Sequence, residues 1–195
     1  LKDKKLLYQI TDYYNRKEYL AILGTLSAFI IIICVLYISP MPGVADQGDF
    51  GRVMSVTGLK ELASNSTEAE SHWFKYVTPY YTMVPVNPLR LLGIIPTTSM
   101  IYPIAIARLI SKFMNLNIFS TKILAFVYSV MYLSALYMCF KYLKFKSQAT
   151  SIFFISISIF ILVDGNYLVW FNSLYGEAMM IVSLLLFVAS VLYIS

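Results

Sequence analysis

Charged side chains are scarce in this chain. Asp, Glu, Lys and Arg make up 13% of its 195 residues, against about 25% in an ordinary soluble domain. A water-facing surface needs charge, so the deficit argues against a soluble fold more strongly than the apolar excess does. Histidine occurs once, at His72, and cysteine twice, at Cys34 and Cys139. That leaves no Cys/His set at metal-ligand spacing. Both cysteines sit in apolar runs, where a thiol reads as a small core hydrophobe rather than half of a disulfide. No Walker pattern, glycine-rich phosphate loop or Gly-x-Ser-x-Gly is present, which argues against an ATP-driven pump in this segment. No internal repeat or low-complexity linker interrupts the chain.

What is abundant is apolar sequence: 59% of residues, with a mean hydropathy of +0.72. It is concentrated in four stretches without charge, at 19–39, 123–140, 147–163 and 178–195. A membrane-spanning helix needs about 20 such residues. The first run is too long for the roughly 7–15 apolar residues of a signal peptide, so it reads as a retained helix. The third is the shortest and is rich in Ile and Ser. In lipid it still forms helix, because an isolated segment can satisfy its backbone in no other way. The chain opens on Leu1 and closes inside an apolar run, which reads as a segment of a longer protein.

The net charge of +5 comes from 15 basic and 10 acidic residues. Its location argues for topology rather than nucleic-acid binding. Lys2, Lys4, Lys5, Arg16 and Lys17 precede the first run, and Lys141, Lys144 and Lys146 separate the second from the third. Cations favour the cytoplasmic side. Four spans place both clusters there, with 1–18 a basic cytoplasmic tail and 141–146 a basic cytoplasmic loop. Residues 40–122 then form a long first outer loop and 164–177 a short second one. The segment 99–113 carries Pro103 and Arg108. Its apolar character is too short to span, and counting it would put the basic loop outside. It reads as a helix on the outer membrane surface, with Arg108 and Lys112 reaching toward headgroups. The expected fold is an all-α polytopic membrane protein. It has four transmembrane helices and surface (juxtamembrane) helices near 49–63 and 99–113.

Candidate chemistry lies in the two outer loops. Asp46-Gln47-Gly48-Asp49-Phe50-Gly51-Arg52 follows span one. Asp49 is a good helix N-cap. Phe50, Val53, Met54 and Thr57 have helical spacing, and Gly58 is a natural stop. Asp49 is therefore either a cap alone or one of a carboxylate pair with Asp46. Such a pair serves as general base or binds a divalent cation. In the second loop, Asn166, Asn172, Ser173 and Glu177 can bond a polyol. Tyr167, Trp170, Phe171 and Tyr175 suit the same purpose or an aromatic belt. Glu177 stands just before a span, where it either complements a helix N-terminus or faces an aqueous cavity. Lys75 and Arg90 can neutralise a phosphate or meet lipid headgroups. Residues 61–72 read as a solvated connection, with Asn65-Ser66-Thr67 an N-glycosylation pattern and His72 a surface residue. The Tyr- and Pro-rich stretch 73–88 reads as ordered and non-helical.

This order of parts resembles the GT-C superfamily of membrane glycosyltransferases, which use polyprenyl-phosphate sugars. The likeness covers nearly the whole chain in layout, on short and degenerate motifs. The acidic motif would be Asp46 to Arg52. The second juxtamembrane helix would lie in Pro96 to Ser120, with Ile101-Tyr102-Pro103. The second-loop acid would be Glu177, in Phe171-Asn172-Ser173-Leu174-Tyr175-Gly176-Glu177. The first motif departs from the adjacent Asp-Glu or Glu-x-Asp form, which leaves Asp46 and Asp49 as alternatives for the catalytic acid. The resemblance implies that the chain is an N-terminal fragment of such a fold in a bacterial cell membrane. It implies transfer of a sugar from a lipid-linked donor to a cell-envelope glycan on the outer face, with no nucleic-acid partner. Asp49 or Asp46 would then act on the acceptor hydroxyl. Arg52, Lys75 or Arg90 would meet the leaving phosphate. Glu177, Asn172 and Tyr175 would bind sugar, or Glu177 and Asn172 a divalent cation such as Mg or Mn. Two other classes compete. A transporter or flippase predicts ionisable groups inside the spans, and the four runs have none. A scaffold subunit needs no carboxylates at the membrane boundary.

Overall fold

The computed structural model describes residues 2–38, 42–46, 48–62, 77–114, 116–143, 145 and 147–194, with side chains from residue 17 onward. His72, Lys75, Asn65-Ser66-Thr67 and Gln47 lie outside the described residues. The chain is mostly helical. Helix α1 runs over Lys2–Tyr37. Its first half contains no Pro or Gly and includes Lys, Leu, Gln, Arg and Glu, all good helix formers, so the basic tail continues the helix of the first span. At about 1.5 Å per residue this helix is roughly 54 Å long, and its polar start projects well beyond a hydrocarbon core of about 30 Å.

Three helices are long and apolar enough to cross a membrane: the Lys17–Tyr37 part of α1, α5 (Thr121–Tyr142) and α8 (Glu177–Ile194). A fourth crossing needs α6 (Gln148–Leu162) together with the segment Gly165–Asn172, to which it is bent by 51°. The break comes at Val163-Asp164. There the Tyr132 hydroxyl donates to the Leu162 carbonyl at 2.5 Å, and Asp164 accepts from the Asn166 backbone N–H at 3.0 Å. Short helix α7 (Gly165–Leu168) and a 3-10 turn, Val169–Asn172, complete the segment.

Helix α5 is the centre of the bundle and packs against α1, α8 and the helix Ile101–Phe113. Its buried residues surround it, including Tyr128, Tyr132 and Leu136. Phe171, fully buried, sits with its ring 5.6 Å from Tyr128 and 5.5 Å from Tyr132. On α1 the inward stripe is Ala21, Gly24, Ala28, Ile32 and Leu36. Small residues at this spacing let helices approach closely. A Cβ on Gly24 would stand 2.6 Å from the Cγ2 of Ile155 on α6.

Between α1 and α5 the chain builds a layer on one end of the bundle. It contains α2 (Phe50–Thr57), α3 (Pro88–Leu91), α4 (Ile101–Phe113) and three short strands. The all-α expectation missed these strands. They are β1 (Leu59–Glu61), β2 (Tyr80–Met83) and β3 (Ile118–Ser120), ordered β1-β2-β3 and antiparallel. Leu59 pairs with Met83 and Tyr81 with Phe119. Tyr-Tyr-Thr between Pro79 and Pro85 suits a short strand. Its inward Tyr81 and Phe119 meet edge-on at 6.3 Å. The helix expected near 49–63 stops at Thr57, because Gly58 turns left-handed at φ 68° and the chain enters β1.

One further expectation is corrected. Arg108 does not reach outward along the helix surface as expected. Its guanidinium turns inward and donates to the carbonyls of Thr57, Gly58 (2.9 Å) and Val84 (2.6 Å). The last carbonyls of α2 need donors, and Arg108 supplies them from α4. The second loop, 164–177, packs against the bundle. Leu168, Phe171, Asn172, Ser173, Leu174 and Tyr175 are all buried, because the loop packs down onto α5 and the exit of α1.

Candidate functional site

The site is built from the N-terminal end of α2 and the N-terminal end of α8. Gly48, at φ 95°, turns the chain into α2. Asp46 is the side chain that caps the helix: its Oδ1 accepts from the Gly48 N–H at 2.8 Å and the Phe50 N–H at 3.1 Å. Asp49 occupies the N-cap position without making the cap bond. The sequence pattern had given that duty to Asp49. With the helix N–H groups served by Asp46, the Asp49 carboxylate is left exposed at the rim of a cavity.

That cavity has a volume of about 310 Å³. Asp49 and Arg52 enter from α2, one helical turn apart. Glu177 and Met180 enter from α8, and Leu174 and Tyr175 from the turn before it. Glu177 lies in the first turn of α8, where a carboxylate complements the unpaired N–H groups of the helix. The two ends are clamped by aromatic packing. The Tyr175 ring meets Phe50 edge-on at 4.7 Å and Trp170 at 5.4 Å. Among the described residues, Asp49, Arg52 and Glu177 form no ion pair with one another. Two acids and one guanidinium thus share a cavity without cancelling locally.

Four of the residues singled out from the sequence therefore meet: Asp49, Arg52, Tyr175 and Glu177. The others do not. Asp46 stands behind Asp49 as the cap. Asn172 is buried and its amide is turned away from the cavity: Nδ2 donates to the carbonyls of Pro42 at 3.0 Å and Leu36 at 3.5 Å. It ties the exit of α1 to the second loop and so holds both halves of the site in register. Arg90 lies on α3 and donates to the Pro96 carbonyl at 3.3 Å, away from the cavity. Lys75 lies outside the described residues. Leu174 and Met180 were not foreseen, since an apolar wall residue looks like any other core or span residue in sequence. Gly43 was also missed. A Cβ there would come within 2.6 Å of Val77 and 3.4 Å of the Asn172 carbonyl, so only glycine lets residues 42–46 pass between them.

Tyr81 lies close to this end of the layer and is excluded as a base. Burial, with added repulsion from Asp46 and Glu61, holds its phenol well above the ordinary tyrosine range and keeps it protonated. Among the described residues no three His, Cys, Asp or Glu side chains gather as a ligand set. A second cavity of similar size, about 320 Å³, opens at the other end of α2 around Arg108 and Lys112. It holds no carboxylate. On chemistry the cavity with Asp49 and Glu177 is the candidate site.

A family model described as the YfdI N-terminal transmembrane domain matches residues 7–195. The chain belongs to this family. The match covers the helices described above apart from the first residues of α1 and, with the apolar helices, makes this a membrane protein. The YfdI N-terminal transmembrane domain is thus the family setting in which the cavity between α2 and α8 has to be understood. Searches of curated proteins and of solved structures return no match.

Proposed function

We propose that the chain is the membrane part of a glycosyltransferase that moves a hexose from a polyprenyl-phosphate donor to an extracytoplasmic envelope glycan. One observation carries the reading. Asp49 and Glu177, from two loops far apart in the sequence, line one cavity together with Arg52. A sugar with its acceptor needs this combination: carboxylates for hydroxyl groups and a guanidinium for phosphate.

In the reaction, the acceptor oxygen attacks the anomeric carbon. The bond from that carbon to the phosphate oxygen breaks, and the phosphate leaves with the electron pair. Asp49, exposed and free of the helix cap, takes the acceptor proton. Arg52, one turn along α2, offsets the charge that develops on the phosphate. Glu177 accepts hydrogen bonds from sugar hydroxyls. The Tyr175 and Leu174 wall supplies an apolar face for the ring. Two carboxylates also suffice for a divalent cation that completes its shell with substrate phosphate and water. Asp49 and Glu177 are the residues that would hold it, and it would add charge to polarise the phosphate.

The test is transfer from a radiolabelled polyprenyl-phosphate hexose in membrane vesicles containing the full-length protein. Asp49→Asn should lower the rate by about 10²–10⁴-fold, the usual worth of a positioned base. Full activity in that variant removes Asp49 from the role. Absence of transfer by the wild type from any such donor sinks the reading as a whole.

A further inference from the structure

We infer that the cavity at the C-terminal end of α2 is a headgroup site for an anionic membrane phospholipid. It does not rest on the sugar-transfer reading and uses none of its residues.

The cavity is lined by Arg108 and Lys112, four residues apart on one face of α4, and by apolar side chains that include Val86, Leu91, Ile101 and Leu109. Arg108 bonds three carbonyls and meets no carboxylate among the described residues. The Lys112 ammonium makes neither a hydrogen bond nor an ion pair among the described residues. Two positive charges therefore face one cavity with no carboxylate paired to them among the described residues. Partial burial already works against the charged form of Arg108, so a bound anion would relieve an existing cost.

The surroundings select the kind of anion. Leu92 is 71% exposed, Ile94 65% and Phe113 81%, with Met114 and Leu109 also open. Leu109 lines the cavity, Phe113 and Met114 directly follow Lys112, and Leu92 and Ile94 follow the lining residue Leu91 in the chain. A free anion in water would satisfy the charges and leave this rim wet. A phospholipid satisfies both: its phosphate between Arg108 and Lys112, its acyl chains along the rim. Chain continuity puts such lipid within reach. From Phe113 the chain passes through β3 directly into the membrane-spanning α5 at Thr121. The rim therefore stands only a few residues from the start of a membrane-spanning helix. A volume of about 320 Å³ is room enough for a phosphoglycerol group.

The experiment is native mass spectrometry of the detergent-solubilised full chain, titrated with short-chain phosphatidylglycerol, phosphatidylcholine of equal chain length, inorganic phosphate and a short polyprenyl phosphate. Lys112→Gln is the main variant, because Lys112 is exposed and its loss breaks no contact. Arg108 is left in place because it anchors α2. The wild type should retain phosphatidylglycerol in preference to phosphatidylcholine. Lys112→Gln should weaken that binding about five- to tenfold, the effect of one cation at an anionic headgroup, and Lys112→Arg should restore it. Equal binding of the two phospholipids would overturn the proposal, leaving only an apolar patch. Displacement by inorganic phosphate would make it a free-anion site. Saturation by polyprenyl phosphate at far lower concentration would make it a substrate site. An unchanged affinity in Lys112→Gln would remove the cation from the account.

Discussion

The Asp46 carboxylate accepts two backbone N–H groups at the start of α2, while the Asp49 carboxylate accepts none. The pair looks symmetrical in sequence and has divided duties in the fold. Asp46→Ala should cost about 1 kcal/mol of stability, as the loss of a helix cap does. Asp49→Asn should stay within about 0.5 kcal/mol of wild type, as exposed substitutions do. Thermal unfolding in detergent, read for both variants, checks the contrast. The reverse ranking would return the cap to Asp49 and weaken its candidacy as a base. Asn172 and Arg108 carry the same lesson. Their side chains were expected to face a substrate and lipid headgroups, respectively. Both are held by backbone carbonyls more than twenty residues away in sequence. No local pattern reveals such partners, because what an unpaired carbonyl accepts depends on which element folds over it.

Helix α2 owes its boundaries to two glycines at positive φ, Gly48 and Gly58. The second position is the more constrained. A Cβ on Gly58 would meet the Val84 carbonyl oxygen at 2.6 Å, and the guanidinium of Arg108 and Val86 even more closely. Gly58→Ala should therefore destabilise by at least about 2 kcal/mol, combining left-handed strain with overpacking. Limited proteolysis should then cut within the layer of α2 and the sheet while circular dichroism still reports the helical bundle. A variant as resistant as wild type would show that the layer tolerates a shift there. The short helix itself was legible, since Phe50, Val53 and Thr57 mark its inner face and glycine its end. The sheet was not. Its outer strands have three residues each, too few for a period-2 pattern to stand out, and their pairing joins segments distant in the chain.

Across the whole molecule, the long helices are held by close contact of small residues and by the tyrosine-rich centre of α5. Gly24→Val should cost about 1–3 kcal/mol through overpacking against Ile155. Ile155→Ala should recover part of that loss, because it removes the clashing atoms. Midpoints of thermal unfolding for the two single variants and the double variant measure the coupling. Additive effects would mean that α1 and α6 do not meet at these residues. The membrane setting and the positions of the long helices follow from the sequence alone. Hydrocarbon provides no water for backbone groups, so each spanning segment must satisfy its own hydrogen bonds as helix, and an uncharged run declares it. The cavity between α2 and α8, the inward turn of Arg108, the burial of Asn172 and the bend after Leu162 were decided only in three dimensions. Each depends on contacts between segments distant in the chain, and a polar side chain carries no local record of which distant carbonyl, ring or carboxylate will be folded against it.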